Sequence, residues 1–294
     1  MKIGFIGLGI MGRPMSKNLL KADYELIVYD RNQWKIDELV KEGAKAGKSP
    51  KDVAANSEIV ITMLPNSPHV EEVVLGEEGV IHGAKEGSIL IDMSSIEPAV
   101  SKKISEKLAE KNIRMLDAPV SGGEPKAIDG TLSIMVGGDE GTFNKCMPIF
   151  EVLGSSAVLC GEIGAGNITK LANQIIVAVN IAAMSEALVL ATKSGVDPEK
   201  IYNAIRGGLA GSAVLDAKVP LILDRKFDPG FRIDLHIKDL NNVIKTGHEI
   251  GTPLVLTANV LEMMQVLKSD GLANLDHGGL IKFYEKLANI EVKG

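Results

Sequence analysis

Short apolar runs alternate with amphipathic stretches along the first half of the chain, and this alternation constrains the fold more than any other feature. Runs rich in Ile, Val and Leu, typical of buried strands, stand at 2–7, 26–29, 59–63, 89–91 and 115–116. Helical spacing of apolar residues stands between them, at 10–22, 33–42, 68–75 and 98–111. This alternation predicts βαβ units, whose right-handed crossovers cover both faces of a parallel sheet.

The pattern changes near residue 163, after which only helical stretches follow. They stand at 166–194, 197–206, 237–250, 254–269 and 277–289. Asp197 followed by Pro198 is typical of a helix start, with the aspartate as N-cap and the proline at the first helical position. A chain of 294 residues is long enough for two domains. We predict an α/β domain with a parallel sheet over 1–163 and an all-α domain over 164–294.

Composition argues against several classes of function. Hydrophobic residues make up 45% and charged residues 24% of the chain, which is typical of a globular protein with a buried core. Because the net charge is −6, no basic block is present and aromatic residues reach only 4%, nucleic acid is not an expected partner. The two cysteines and five isolated histidines have no metal-ligand spacing, so no metal is expected.

Membrane insertion is not expected either. The longest charge-free helical run, 171–185, is short for a membrane span and contains Asn173, Gln174 and Asn180. The apolar run at the N-terminus is too short for a signal peptide. We therefore predict a soluble, cytoplasmic protein.

A glycine motif joins the first predicted strand to the first predicted helix. Gly7, Gly9 and Gly12 form a G-x-G-x-x-G, and Asp30 follows 18 residues after Gly12 at the end of the second strand. In this context the motif predicts dinucleotide binding, because its glycines permit a tight turn, close approach to a pyrophosphate and helix–strand packing. The residues expected at the phosphates are Gly7, Leu8, Gly9, Ile10, Met11 and Gly12. The alternative is an ordinary strand-to-helix turn.

The residues after the second strand bear on the kind of dinucleotide. Asp30 can accept a hydrogen bond from a ribose 2′-hydroxyl, which favours NAD, whereas Arg31 can pair with a 2′-phosphate, which favours NADP. The carboxylate would repel that phosphate. We therefore expect NAD as the cofactor, with NADP possible.

Two further loops follow predicted strands at the edge where open sheets bind ligands. Leu64 and Pro65 stand in one loop and Ser95 in the other, and we expect all three to contact the cofactor. The alternatives are structural. Pro65 can simply end a loop, and Ser94 or Ser95 can cap the helix that begins near Pro98.

The stretch GNITKLANQ, residues 166–174, places a lysine near the start of a long apolar helix. Lys170, Asn173 and Gln174 share one helical face because they are three and four residues apart. The positive end of the helix dipole and partial burial both disfavour an ammonium there, which suits a group that gives up and regains a proton. The alternative is a lysine that extends to solvent at the surface.

Two other stretches suit anions. Ser121, Gly122 and Gly123 can direct a hydroxyl and free backbone amides towards a carboxylate, although they can also form a plain flexible turn. Lys238, in the stretch HIKDL, can attract an anionic cofactor or substrate. The alternative for Lys238 is an ion pair with Asp234 or Asp239.

Taken together, these motifs resemble the β-hydroxyacid dehydrogenase family. The resemblance covers essentially the whole chain in four ordered blocks: FIGLGIMGRPMSKNLL (5–20), DAPVSGG (117–123), the stretch from GAG to Asn173 (164–173), and KDL (238–240). The family implies a Rossmann-type N-terminal domain that binds a nicotinamide dinucleotide. It also implies an all-α C-terminal domain and a substrate held in the cleft between the two domains.

The resemblance also implies residue roles. Lys170 is expected to act as the general acid or base, and Lys238 is expected near the nicotinamide. The residues expected around the substrate are Ser121, Gly122, Gly123, Asn173 and Gln174. Many family members have a second asparagine where Gln174 stands, so the substrate pocket is expected to differ from that of 3-hydroxyisobutyrate dehydrogenases.

Within the family, stretches such as ITMLPNSPHV (61–70) and AIRGGLAGS (204–212) look most like bacterial enzymes that reduce tartronate semialdehyde to D-glycerate. We therefore expect that reaction. The alternatives are 3-hydroxyisobutyrate oxidation, reduction of glyoxylate or another short semialdehyde, and a non-catalytic cofactor-binding scaffold. Family members are usually dimers or tetramers, so the resemblance implies a homodimer or homotetramer.

Overall fold

The structure, a computed structural model, describes residues 1–294. By their internal contacts these residues form two units, Met1–Lys170 and Leu171–Gly294. The division falls inside a long helix, a little after the boundary predicted at residue 163. The two units are described in turn.

The first unit contains one nine-stranded sheet. Its strands are β1 (Lys2–Ile6), β2 (Glu25–Tyr29), β3 (Lys45–Ala46), β4 (Ile59–Thr62), β5 (Ile89–Asp92), β6 (Arg114–Asp117), β7 (Val120–Ser121), β8 (Leu132–Gly137) and β9 (Gly154–Gly161). The first six are parallel and lie in the order β3-β2-β1-β4-β5-β6. This doubly wound order reverses between β1 and β4, and it confirms the predicted α/β fold with a parallel sheet. β8 pairs antiparallel with β6 and β7 and parallel with β9.

Helices connect these strands in the first unit. They are α1 (Gly12–Lys21), α2 (Gln33–Lys41), α3 (Pro50–Ala55), α4 (Ser67–Leu75), α5 (Pro98–Ala109), α6 (Gly123–Asp129) and α7 (Glu140–Leu153), with a 3-10 turn at Val80–His82. Four of these helices confirm the predicted ones within a few residues. The sequence reasoning did not predict β3, α3 or the elements between 118 and 163. β3 and α3 have only two and six residues, too few for a clear periodic pattern.

The strands are apolar on both faces because helices cover both faces of the sheet. On β1, Ile3 and Phe5 point into one hydrophobic cluster and Ile6 points into another. On β4, Ile61 and Val60 are divided in the same way. Successive side chains of a strand alternate between faces, so a sheet buried on both sides reads as a continuous apolar run.

The second unit is helical, as predicted. Its helices are the greater part of α8 (Ala165–Lys193), then α9 (Pro198–Ile205), α10 (Ala213–Leu223), α11 (Ile233–Glu249), α12 (Val255–Ser269) and α13 (Ile281–Ala288), with a 3-10 turn at His277–Leu280. Asp197 caps α9 by accepting from the amides of Glu199 and Lys200, which confirms the predicted helix start. The sequence reasoning missed α10, whose interior contains Pro220.

Helix α8 differs from the expectation drawn from its sequence. It is 29 residues long and, by length and composition, apolar enough to cross a membrane. The sequence reasoning considered only the charge-free part, 171–185, and so judged the run too short. The core helix of a globular protein meets the same criterion, and α8 buries the polar side chains of Lys170, Gln174 and Ser185. Such side chains are costly in a bilayer, which favours a core helix.

Packing requires glycine at position 12 but not at position 9. A Cβ atom on Gly12 would lie 1.9 Å from the carbonyl oxygen of Gly7, but a Cβ atom on Gly9 would meet nothing within 4 Å. We expect Gly12→Ala to lower the free energy of unfolding by about 1–3 kcal/mol through overpacking. The matched variant Gly9→Ala should change it by less than about 0.5 kcal/mol. Urea unfolding of both variants would test this, and equal destabilisation would contradict the assignment.

Candidate active site

The predicted cofactor residues of the first unit lie at one edge of the sheet. The strands β1, β2, β4 and β5 are parallel, so their carboxyl ends, and the loops that follow them, point the same way. These loops contain the glycine motif, Asp30, Leu64 and Ser95. The switch between β1 and β4 lies in the middle of this edge, where doubly wound sheets bind dinucleotides.

The glycine loop has the geometry of a phosphate cradle. Gly7 has a φ angle of 100°, a conformation that other residues rarely adopt. The space beside Gly9 is open, so its missing side chain serves a group approaching from outside rather than internal packing. The amides of Gly9, Ile10 and Met11 donate to no other group of the chain. Free amides at the start of α1 suit a pyrophosphate, so these residues fit the dinucleotide.

Asp30, which was predicted to bind a ribose hydroxyl, is hydrogen-bonded to the glycine loop. Its Oδ2 accepts from the amide of Leu8 at 2.8 Å, its Oδ1 accepts from the amide of Asn32 at 2.9 Å, and Lys35 Nζ lies 3.3 Å from Oδ1. Burial raises the pKa of Asp30, but these hydrogen bonds and the lysine outweigh it and leave the pKa lowered. Asp30 is therefore ionised, with Lys35 as a countercharge, while Arg31 is exposed.

The other two loops are joined to each other by a hydrogen bond. Ser94 Oγ accepts from the amide of Leu64 at 2.9 Å, while Pro65 is exposed. The N-cap residue of α5 is Glu97, so the alternative that Ser94 or Ser95 caps this helix is wrong. Ser94 is instead a support for the Leu64 loop.

Two buried aspartates end neighbouring strands beneath these loops. Asp92 and Asp117 are opposite each other in the β5–β6 register. The pKa of Asp92 is raised to about 6. Burial is the main cause and the charge of Asp117 adds to it, while hydrogen bonds from Ser94 and Thr62 oppose the rise. Burial likewise raises the pKa of Asp117 to about 6, against hydrogen bonds from Asn167 and Gly164. Both are ionised at neutral pH at a cost in stability.

Asp117 accepts hydrogen bonds from amides at the start of α8, the helix that contains Lys170. Its Oδ1 accepts from the amide of Gly164 and its Oδ2 from the amide of Asn167, both at 2.7 Å. Lys170 lies in the second turn of α8 and is only 7% exposed. The alternative of a lysine extending freely into solvent does not hold.

The stretch from Ser121 to Gly123 forms a turn whose backbone conformation favours glycine. Ser121 ends β7 opposite Ser133 of β8. Gly122 and Gly123 have φ angles of 140° and 69°, both in the region that favours glycine. A Cβ atom on Gly122 would lie 2.7 Å from Lys126, so the turn is crowded on that side. The backbone here is shaped by glycine for a specific conformation.

In the second unit, two of the predicted residues meet at one carboxylate, and a third predicted residue is hydrogen-bonded to one of them. Asn173 Nδ2 donates to Gln174 Oε1 at 2.9 Å, and Gln174 Nε2 donates to Asp239 Oδ2 at 2.6 Å. Lys238 Nζ lies 2.6 Å from Asp239 Oδ1, so the ion pair considered as an alternative for Lys238 is present. Asp239 is only 2% exposed. A buried carboxylate therefore fixes both the glutamine and the lysine.

Sequence reasoning gave no role to four of the residues that support these groups, which are Lys35, Asp92, Asp117 and Asn167. It considered Ser94 only as a helix cap and Asp239 only as an ion-pair partner of Lys238. One signal was available, because Asp92 and Asp117 each end an apolar strand, where a buried carboxylate needs partners. Their partners are distant in sequence, and so only the fold identifies them.

Comparison with known proteins assigns the family. Residues 2–164 match the family described as the NAD-binding domain of 6-phosphogluconate dehydrogenase. Residues 164–284 match the family described as NAD-binding of NADP-dependent 3-hydroxyisobutyrate dehydrogenase. The chain belongs to the β-hydroxyacid dehydrogenase family. It is an NAD(P)-dependent oxidoreductase.

Individual relatives cover almost the whole chain. The 2-hydroxy-3-oxopropionate reductase of Escherichia coli (strain K12) is 44% identical over 289 residues, which are 98% of this chain and 99% of that protein. The 2-(hydroxymethyl)glutarate dehydrogenase of Eubacterium barkeri is 38% identical over 294 residues, covering 100% of this chain and 98% of that protein. A structure of Mycobacterium tuberculosis 3-hydroxyisobutyrate dehydrogenase with L-serine superimposes with a TM-score of 0.90 at 29% identity, covering 96% of this chain and 98% of that one.

The buried carboxylates predict how stability depends on pH. The pKa of Asp92 rises from an ordinary 3.8 to about 6 in the folded state, so its ionisation disfavours folding as pH rises through this range. Asp92→Asn removes this loss. The quantity to compare is the free energy of unfolding of Asp92→Asn minus that of the unaltered protein. We expect this difference to increase by about 1–3 kcal/mol from about pH 4.5 to about pH 7.5.

Urea unfolding at the two pH values measures this difference. The comparison between pH values cancels any constant effect of the new amide, including a buried donor left without a partner. A stability difference that is the same at both pH values would contradict the assignment.

Proposed function

We propose that this enzyme reduces tartronate semialdehyde (2-hydroxy-3-oxopropanoate) to D-glycerate with NAD(P)H, and that Lys170 is its general acid. The observation that carries the proposal is the burial of Lys170 on α8, the helix whose first turn is bound to the end of β6. The choice of substrate is supported by the 44% identity to the E. coli 2-hydroxy-3-oxopropionate reductase along nearly its full length.

The proposed cofactor site lies at the loop edge of the sheet. It consists of Gly7, Leu8, Gly9, Ile10, Met11, Gly12, Asp30, Arg31, Leu64, Pro65 and Ser95. Lys238 is proposed as a further cofactor-binding residue. The bound nicotinamide would supply the hydride. The chain supplies the amides of Gly9, Ile10 and Met11 to the pyrophosphate, and the ionised Asp30 to the adenosine ribose.

Lys170 is proposed to serve the carbonyl oxygen of the substrate. As an ammonium it stabilises the negative charge that develops on that oxygen, and it then donates a proton to give the alcohol. In the oxidative direction the neutral amine accepts the proton. Burial strengthens the attraction between the ammonium and the negative charge on the oxygen, because water does not screen it.

Ser121, Gly122 and Gly123 are proposed to bind the substrate carboxylate. Gly122 is exposed and Gly123 is half-buried, so backbone amides of this turn can reach a bound anion. Asn173 and Gln174 are proposed to bind the substrate as well. Because Gln174 is bound to Asp239, it presents a fixed rather than a mobile amide, which suits discrimination between short acids.

A 3-hydroxyisobutyrate dehydrogenase activity is the alternative. The match of residues 164–284 to the family of that enzyme and the structural similarity to the M. tuberculosis protein favour it. Both reactions would use the same lysine and the same hydride transfer, so only the substrate pocket distinguishes them. Assembly as a homodimer or homotetramer and a cytoplasmic location stay predictions.

The substrate and the cofactor can be tested together. We expect rapid loss of reduced nicotinamide with tartronate semialdehyde, and slower loss with the semialdehyde of 3-hydroxyisobutyrate. Parallel initial rates with NADH and NADPH would show whether Asp30, or Arg31 with Lys35, dominates at the ribose. Because Asp30 is ionised, we expect NADH to be preferred, and Asp30→Asn should shift the ratio of kcat/KM towards NADPH. No turnover of tartronate semialdehyde with either cofactor would contradict the proposed substrate.

The role of Lys170 can be tested by removing its amine while keeping its volume. We expect Lys170→Met to lower kcat by about 10²–10⁴-fold, because a general acid is lost, with NADH binding unchanged. The matched variant Gly9→Ala keeps the lysine and alters the proposed pyrophosphate site. It should weaken NADH binding in a fluorescence titration. Near-normal turnover of Lys170→Met would refute the general-acid role.

A further inference from the structure

The first turn of α8 is packed against the ends of β6 and β8 without room for side chains. A Cβ atom on Gly166 would lie 2.4 Å from the carbonyl oxygen of Asp117 and 2.5 Å from that of Met135. A Cβ atom on Gly137 would lie 2.4 Å from Asp117 Oδ1. Glycine at both positions allows the backbone of the helix to approach the strand ends closely. The start of α8 therefore has a fixed position relative to the sheet.

The carboxylate of Asp117 supplies the hydrogen bonds of this contact. Both of its oxygens accept from amides of the α8 start, those of Gly164 and Asn167. An aspartate that accepts from the first amides of a helix stabilises it, and its charge offsets the positive end of the helix dipole. This aspartate lies 47 residues before Gly164, so it caps the helix through the tertiary structure rather than as a local N-cap.

Asn167 extends the same network to the neighbouring loop. Its Oδ1 accepts from the amide of Ile96 at 3.0 Å, and its Nδ2 donates to Ser101 Oγ at 3.1 Å. Asn167 is 1% exposed and Ser101 is fully buried, so water does not compete for these bonds. The helix start is thereby bound to β6, to the loop after β5 and to α5.

Lys170 stands three residues after Asn167, one turn along the same face of α8. An ammonium near the amino end of a helix is disfavoured by the dipole, and burial disfavours it further. A carboxylate bound at that end opposes both effects. The position of Lys170 therefore depends on the group that holds the first turn.

We propose that Asp117 is a positioning residue of this enzyme, which fixes the first turn of α8 on the sheet and thereby sets the location of Lys170. The inference rests on the proposed catalytic role of Lys170. Asp117 itself acts through the helix and takes no part in proton transfer to the substrate.

The test compares two aspartates that hold helix amides in the same unit. Asp117→Asn removes the charge at α8 and one of the two acceptors. The matched control is Asp139→Asn, because Asp139 caps α7 by accepting from the amide and the hydroxyl of Thr142, both at 2.8 Å. Both variants lose a carboxylate at a helix start, but only one of them alters the helix of Lys170.

Two readouts separate positioning from general destabilisation. In Asp117→Asn, amide hydrogen exchange should accelerate about tenfold or more within 164–170, with the exchange of α7 unchanged. Turnover with saturating substrate should fall about 10- to 100-fold while the dissociation constant of NADH stays the same, as expected for a displaced reactive group. Asp139→Asn should accelerate exchange only in α7 and keep kcat within about twofold.

The outcomes are distinguishable. Normal kcat and normal exchange within 164–170 in Asp117→Asn would overturn the inference, whether or not Lys170 is the general acid. Faster exchange with normal kcat would also overturn it, since the helix would then be loosened without consequence for the reaction. If Lys170→Met keeps its turnover, the proposed function fails instead, and the exchange data still report on Asp117.

A second perturbation guards against a variant that does not fold. Gly166→Ala would push the first turn away from the strand ends without changing any charge. If Asp117 acts by fixing this turn, Gly166→Ala should reproduce both the faster exchange within 164–170 and the fall in kcat. Gly83→Ala, whose Cβ atom would lie 1.9 Å from the carbonyl oxygen of Lys51, is a matched overpacking control that should keep kcat. Equal losses of kcat in the two glycine variants would contradict the inference.

Discussion

Parallel pairing of β1 with β2 on one side and β4 on the other is the constraint on which the rest of the structure depends. Because all three strands run the same way, the glycine loop, the loop of Asp30 and the loop of Leu64 emerge at one edge. β5 and β6 continue the pattern and end in Asp92 and Asp117 at that same edge. The cofactor loops and the support of α8 are thus consequences of a single strand direction.

Buried charge is the second feature that unites the proposed site. Ionised groups away from water are unstable unless they are paired or hydrogen-bonded. Asp117 meets this requirement with helix amides, Asp30 with loop amides and a lysine, and Asp239 with Gln174 and Lys238. In each case the partners of the carboxylate belong to the segments proposed to bind cofactor or substrate. Satisfying the charge and positioning these segments are therefore the same interaction.

Gln174 shows how a small departure from the family pattern can matter. The family resemblance implies asparagine at this position, and the extra methylene of glutamine lengthens the reach of the amide. In this chain that amide donates to Asp239 and accepts from Asn173, so it belongs to a chain of hydrogen bonds that ends at Asp239, which is ion-paired with Lys238. A change at Gln174 therefore alters the contacts of Asn173, Asp239 and Lys238. Specificity can then depend on residues that do not contact the substrate.

The sequence by itself determined the fold class and indicated the loop that we propose binds the cofactor, because both depend on local signals. Alternating apolar periodicity predicted the βαβ order, and the spacing of Gly7, Gly9 and Gly12 between a strand and a helix predicted a phosphate-binding loop. Lys170 stood out for a similar reason, as a cation in an apolar helix near its positive end.

Only the tertiary structure decided which groups support these residues. Asp117 and Gly164 are 47 positions apart, and Gln174 and Asp239 are 65 apart, so no local pattern could pair them. The ion pair of Lys238 was one of two that the sequence allowed, and burial of Asp239 distinguishes it from an exposed surface pair. Hydrogen bonds to buried carboxylates depend on which strand ends and helix starts the fold brings together. That information lies in the packing of the whole chain.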